Sequence, residues 1–141
     1  MAVRRSHCAA GNLVVVMYAC TSTAGETLTV TDSRGGNTWA TDANHSTGAI
    51  VCAIAHSVLD VALQAGDTIT CTIGVNRSRK AMAVIEFSGI AASPFDKTGT
   101  EASGTSTTPL STTTAALAQA DELVIGAFAS SLGSNANTGS L

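Results

Sequence analysis

The stretch that decides the fold is LVVVMYAC, residues 13–20. It is an uninterrupted apolar run rich in β-branched valine, and it is far shorter than the ~18 residues that a membrane-spanning helix needs. Arg4 and Arg5 precede the run as they would in a secretory signal peptide, but Asn12 interrupts its approach. We therefore interpret residues 13–20 as a central strand buried on both faces, and we expect Tyr18 to lie in the core.

Outward from this run, short apolar segments alternate with turns rich in Gly, Asp and Asn. Residues 68–75 alternate strictly between apolar residues and mostly threonine, as in a strand with one solvated face. Two hairpins are predicted, one joining residues 27–31 to 37–41 and one joining 68–75 to 81–88. The seven predicted strands are residues 13–20, 27–31, 37–41, 49–56, 68–75, 81–88 and 121–129.

Seven short strands at this spacing predict an all-β fold, an antiparallel β-sandwich for which a jelly-roll-like and an immunoglobulin-like topology both fit. We expect one sandwich domain over residues 1–129, a long loop over residues 96–114 and a flexible C-terminal tail over residues 130–141. A closed sandwich of this style normally has eight or more strands. We therefore expect either a neighbouring chain to complete the sheet or an edge to stay open, and both favour an oligomer.

The composition excludes several classes of protein. Small residues dominate, with 24 Ala and 20 Thr, and charged residues make up 12% of the chain against about 25% in a typical domain. A coiled coil and a charged disordered tail are thereby excluded, and the net charge of −3 argues against a dedicated nucleic-acid binder. The cysteines form no C-x-x-C pair, so we expect buried free thiols, with a disulfide left open. They are Cys8, Cys20, Cys52 and Cys71.

The motifs of common catalytic and metal sites are missing from the sequence. We accordingly expect no catalytic residue, no cofactor and no metal, and we interpret the Asp32–Asn37 region as a tight glycine turn rather than a Ca²⁺ site. One enzymatic alternative is a hydrolase that uses Glu86 and Asp96. It requires both carboxyl groups to face one cleft, about 5–10 Å apart. Otherwise Glu86 is expected to point outward or to pair with a base.

Four residues are candidates for binding. Trp39 could stack on the apolar face of a sugar, which is how aromatic rings anchor carbohydrate ligands. Arg77, Arg79 and Lys80 form the only positive cluster in the sequence. It could contact an acidic partner, although a solvated hairpin tip is the simpler interpretation.

Five segments mark strands and turns in a characteristic order, and they are residues 28–33, 36–39, 66–70, 84–89 and 121–126. Together they resemble the jelly-roll-like β-sandwich modules of bacteriophage virion proteins and actinobacterial secreted proteins. The resemblance spans roughly residues 12–129 and carries over no catalytic residue. It implies a non-enzymatic structural or attachment protein, such as a head decoration or tail-associated protein.

The expected partners are proteins, through self-association or a larger virion assembly, with no nucleic acid or membrane. The expected location is a virion or the extracellular space. The alternative is a glycan- or cell-surface-binding accessory module.

Overall fold

A computed structural model describes residues 1–4, 7–21, 25–77, 79–104, 116–130 and 137–138. Over these residues the regular structure consists of strands alone, all of whose pairings are antiparallel, which confirms the predicted all-β class. The described part of the chain contains no long apolar helix of the kind that crosses a membrane. The strands are β1 (Ala2–Arg4), β2 (Leu13–Thr21), β3 (Thr29–Asp32), β4 (Ala40–Ser46), β5 (Ile50–Val58), β6 (Thr68–Thr72), β7 (Lys80–Phe87), β8 (Ala129–Ser130) and β9 (Asn137–Thr138).

Two main sheets face each other and give a sandwich-like fold. One has four strands in the order β4-β5-β2-β7, the other has three in the order β1-β6-β3, and β8 and β9 form a small third sheet. The core between the main sheets is a cluster of buried residues from both of them, including Val16 and Tyr18 of β2 and Ile69 and Cys71 of β6. This packing is the reason for the strict alternation of residues 68–72, since only one face of β6 meets the core.

Strand β2 is buried on both faces, as its apolar run predicts. It lies between β5 and β7, and Val16 is the register partner of both Ala55 and Val84. Its even-numbered residues belong to the core between the sheets, whereas Leu13 and Val15 point to the other side. We call that other side the outer face of the four-stranded sheet. A strand whose two faces are both buried needs an apolar residue at every position, and residues 13–20 provide this.

Both predicted hairpins are wrong. Strand β3 pairs with β6, whereas β4 pairs with β5, so the chain crosses between the sheets after residue 32. Likewise β6 pairs with β1 and β3, whereas β7 pairs with β2. The turn residues mark a change of direction, but the sheet that the next strand joins depends on which apolar face remains to be covered.

The last apolar run does not form the predicted strand over residues 121–129. Only its final residue, in β8, is in a strand, and Leu123, Val124 and Phe128 are exposed. We call residues 89–104 and 116–128, which have no regular structure, the strap. The strap contains the described part of the predicted loop over residues 96–114, while residues 105–115 lie outside the described residues. In the predicted tail, β8 pairs with β9, and the other residues beyond 130 lie outside the described ones.

The four cysteines are free, and Cys8, Cys20 and Cys71 are buried while Cys52 is half-buried, as expected of thiols that act as small apolar groups. Burial raises the pKa of the Cys71 thiol from 9.0 to about 12 and that of Cys52 from 9.0 to about 11. Cys71 Sγ also lies 3.0 Å from Met82 Sδ, a contact that joins β6 to β7 across the core. These thiols contribute packing rather than reactivity.

The raised thiol pKa values predict a loss of stability in alkali. Because the folded pKa values exceed the unfolded value of 9.0, the stabilisation is complete below pH 9 and is lost as the pH rises towards the folded values. We expect the free energy of unfolding, measured by urea titration, to fall from about pH 9 upward. Cys71→Ala should make this fall shallower, even if it lowers stability at neutral pH. An unchanged slope in both Cys71→Ala and Cys52→Ala would contradict the assignment.

Candidate functional site

A groove lies between the outer face of the four-stranded sheet and the strap. Its volume is about 560 Å³, which is within the range of small-molecule and peptide sites. The floor is formed by Leu13 and Val15 of β2 and by Ile54 of β5, and the walls come from residues 89–99 and 117–125 of the strap. We call it the strap groove.

A histidine–carboxylate pair lies in the strap groove. His56 of β5 and Asp42 of β4 both line it, and His56 Nδ1 lies 2.8 Å from each carboxylate oxygen of Asp42. The register of β4 against β5 shifts between Thr41 and Ala43, so Asp42 occupies a bulge, a feature that commonly re-aims a side chain. The ring of His56 also stacks on Phe95 of the strap, with centroids 6.0 Å apart and an interplanar angle of 5°.

This geometry defines what His56 can do. Because the Asp42 carboxylate only accepts hydrogen bonds, Nδ1 of His56 is the donor in this pair. Within the described residues no serine, threonine or cysteine is bonded to His56 as an activated nucleophile would be. No group of three or more metal-ligating side chains suited to a metal ion occurs there either.

The strap groove is rich in acidic groups. Asp42, Asp96, Asp121 and Glu122 line it together with a single cationic amine, that of Lys97. Asp96 accepts a hydrogen bond from the backbone N–H of Ala118 at 2.9 Å, which ties the two parts of the strap together. Glu122 Oε1 is buried without a hydrogen-bond partner among the described atoms. The groove therefore has a negative electrostatic potential that favours a cationic ligand.

A second contact anchors the strap to β4. Glu101 Oε1 accepts a hydrogen bond from the backbone N–H of Asn44 at 2.7 Å, and Glu101 Oε2 lies 3.5 Å from His45 Nδ1. Together with the stacking of Phe95 on His56, this contact holds residues 95–101 against the edge of the sheet.

Trp39 is only half-buried, and its side chain is already engaged. It packs against the core, and its Nε1 donates a hydrogen bond to Asp32 Oδ2 at 2.9 Å. Asp32 Oδ1 accepts a second hydrogen bond from Gly35 N at 2.8 Å. A Cβ on Gly36, whose φ is +85°, would lie 2.9 Å from a methyl group of Val61. The segment is therefore the tight glycine turn that the sequence predicts, with both Asp32 oxygens occupied.

The basic cluster is divided by the structure. Arg77 forms an ion pair with Glu26, and the two side chains are 22% and 10% exposed. Arg79 and Lys80 are exposed, and Lys80 Nζ donates a hydrogen bond to Asn76 Oδ1 at 3.3 Å. Two of the three cations thus face solvent, and the third stabilises the segment before β3. No described contact joins Trp39 to this cluster, and their roles in binding stay predictions.

The division of the basic cluster predicts unequal effects of alanine substitutions. Arg77→Ala leaves the nearly buried Glu26 without this cation, and we expect it to lower the free energy of unfolding by about 1–2 kcal/mol, between the values for exposed and buried pairs. The matched variant Arg79→Ala, at an exposed position, should stay within about 0.5 kcal/mol of the parent chain. Urea unfolding of both variants measures the difference. Equal effects would show that the Arg77–Glu26 pair contributes no stability.

Glu86 does not share a cleft with Asp96. Its Oε1 accepts hydrogen bonds from Ala9 N at 3.0 Å and from Asn12 Nδ2 at 2.7 Å. Asp96 lines the strap groove, whereas Glu86 does not. The structure therefore does not bring Glu86 and Asp96 into one cleft, as the hydrolase hypothesis requires.

Sequence reasoning missed the pair of His56 and Asp42, because the bulge that aims Asp42 is a property of strand pairing. The one available signal is Asp42 itself, an acidic residue directly after the predicted strand over residues 37–41. Comparison of the chain with models of known protein families, with curated proteins and with solved structures gives no match.

Proposed function

We propose that the chain is a non-enzymatic structural or attachment module that works through protein contacts at its strap groove, as a component of a virion or of another extracellular assembly. The observation that carries this proposal is the clustering of exposed apolar side chains. Of the eight large hydrophobic residues that are exposed in the described part of the chain, five lie in the strap. Apolar patches of this kind mark interaction surfaces in soluble proteins. The five are Phe95, Leu117, Leu123, Val124 and Phe128. The resemblance to virion modules agrees with an assembly role.

The test is the oligomeric state of the purified chain, measured by light scattering and sedimentation over a wide range of concentrations. We expect a discrete oligomer or a filament. The double variant Leu123→Lys/Val124→Lys should weaken it, whereas Val61→Lys, which places a lysine at an exposed valine outside the strap, serves as the matched control. A compact monomer at every concentration would overturn the proposal for self-assembly.

A second candidate function, glycan binding, is favoured by one observation. Phe95 is 50% exposed, and it lies beside His56 and the carboxylates that line the groove. A ring face next to hydrogen-bond acceptors suits a sugar. A glycan array probed with the parent chain, Phe95→Ala and Trp39→Ala tests this candidate. Binding lost only in Phe95→Ala would support the groove as the site, and a blank array would remove the candidate.

A further inference from the structure

The four-stranded sheet carries opposite charges at two separate places. In the register of β2 with β7, Leu13 is paired with Phe87 at one end and Cys20 with Lys80 at the other. The strap groove begins at the Leu13 end and extends over the outer face to Ile54, the register partner of Met17. Arg79 and Lys80 lie at the opposite end, where the backbone N–H of Thr21 bonds to the carbonyl of Arg79. Three residue steps of about 3.4 Å, from Met17 to Cys20, separate the groove from this end by ~10 Å along β2.

We call Asn76, Arg77, Arg79 and Lys80 the basic turn. Arg79 and Lys80 are its exposed cations, since Arg77 is paired with Glu26. At the other end, four carboxylates line the groove against one lysine amine. Lys97 Nζ donates a hydrogen bond to the carbonyl of Ala116, which holds that amine against the strap. The charge of the basic turn is therefore complementary to that of the strap groove.

The apolar surfaces are complementary as well. Val75, next to the basic turn, is 47% exposed. The groove is bordered by Phe95, Leu117 and Leu123, which are 50%, 42% and 48% exposed. Val75 and the two exposed cations of the basic turn can thus contact the apolar border of the groove and its four carboxylates. Charge pairs at such a contact set orientation and partner choice, while the apolar area supplies affinity.

We propose that the basic turn of one copy of this chain docks into the strap groove of the next copy, so that copies join head to tail. The two surfaces are different and share no residue. The contact is therefore heterologous and propagates into a ring or an open filament. This inference rests on the proposed assembly function and names its partner, a second copy of the chain.

The experiment uses two charge-altered variants of the full chain. Arg79→Glu/Lys80→Glu reverses the charge of the basic turn, and Gln119→Lys/Asp121→Lys cancels the negative charge of the groove at two exposed positions. We expect each variant alone to self-associate at least ~10-fold more weakly than the parent, a loss of about 1.4 kcal/mol. An equimolar mixture should associate again, because the unaltered basic turn of the groove variant then meets the unaltered groove of the turn variant. Arg34→Glu, which makes the same kind of charge change in an exposed turn elsewhere, should assemble like the parent.

Salt provides an independent measurement. Raising the ionic strength from about 0.1 M to about 1 M shortens the Debye length from ~10 Å to ~3 Å, so the parent assembly should weaken. Near-ultraviolet circular dichroism shows that each variant is folded. If the parent assembles and both altered variants assemble equally well, the docking inference is wrong while the assembly function stands. A parent that is monomeric at every concentration overturns both, and a mixture of folded variants that does not reassemble overturns the docking inference.

Discussion

Replacing Tyr18 with alanine is expected to lower the free energy of unfolding by about 3–5 kcal/mol, the range for truncation of a buried aromatic side chain. Tyr18 is 1% exposed and is among the largest fully buried side chains of the fold. It lies in β2, between Ala53 of β5 and Met82 of β7 in the register. Its loss leaves a cavity that neighbours held in two sheets cannot fill by relaxing. Urea unfolding monitored by circular dichroism measures the change.

The matched variant Tyr18→Phe keeps the ring and removes only the hydroxyl group. Burial raises the pKa of Tyr18 well above its usual value, and the hydroxyl hydrogen-bonds to the side chain of Cys20. We expect Tyr18→Phe to cost about 0.5–1.5 kcal/mol, the net value of one hydrogen bond. If Tyr18→Ala were no more destabilising than Tyr18→Phe, the ring would not be packed in the core, and the central position of β2 would be in doubt.

The sequence predicts β2 and β6 well because their patterns are determined by burial. An apolar run without a polar residue can only be accommodated where both faces are covered, and this is the position of residues 13–20. The alternation of residues 68–72 places Ile69 and Cys71 in the core and threonines away from it. In both strands the local pattern and the tertiary environment agree, so the pattern alone is sufficient.

Strand pairing could not be predicted in the same way. Residues 32–37 form a turn, but they connect β3 in one sheet to β4 in the other. A turn between two apolar runs has the same composition whether the runs pair or separate. Residues 121–129 show the opposite error, since their apolar run predicts a strand that does not form. Among the described residues they pair with no other strand before β8, and several of their side chains are exposed.

The candidate site was even less accessible to prediction. Nothing in the local sequence of His56 indicates that the β4 bulge turns Asp42 towards it. Similarly, the sequence groups Arg77 with Arg79 and Lys80, although Arg77 is paired with Glu26, about fifty residues away. Charged and aromatic residues can be counted from the sequence. The residue that each of them contacts, however, depends on long-range packing.

Glu86→Ala is expected to lower the free energy of unfolding by about 2–3 kcal/mol, because a charged acceptor is removed from two donors at once. Glu86 Oε1 binds Ala9 N and Asn12 Nδ2, which lie 77 and 74 residues away in sequence. The segment around these donors is itself bonded to the loop after β5, through Gly11 N to the Leu59 carbonyl and Leu59 N to the Asn12 carbonyl. Glu86 therefore links edge strand β7 to the N-terminal segment that closes this end of the sandwich.

Two comparisons separate this structural role from a catalytic one. Glu86→Gln keeps an oxygen acceptor and loses the charge, so its cost should be about 1 kcal/mol, smaller than that of the alanine variant. Asp121→Asn, at an exposed position of the strap, should leave stability within about 0.5 kcal/mol of the parent. The measurement is urea unfolding, with hydrogen exchange at Ala9 N as a local readout that should speed up in Glu86→Ala. If Glu86→Ala unfolds at the parent's urea concentration with exchange at Ala9 unchanged, its carboxylate does not hold this end of the fold, and the structural role inferred for Glu86 is wrong.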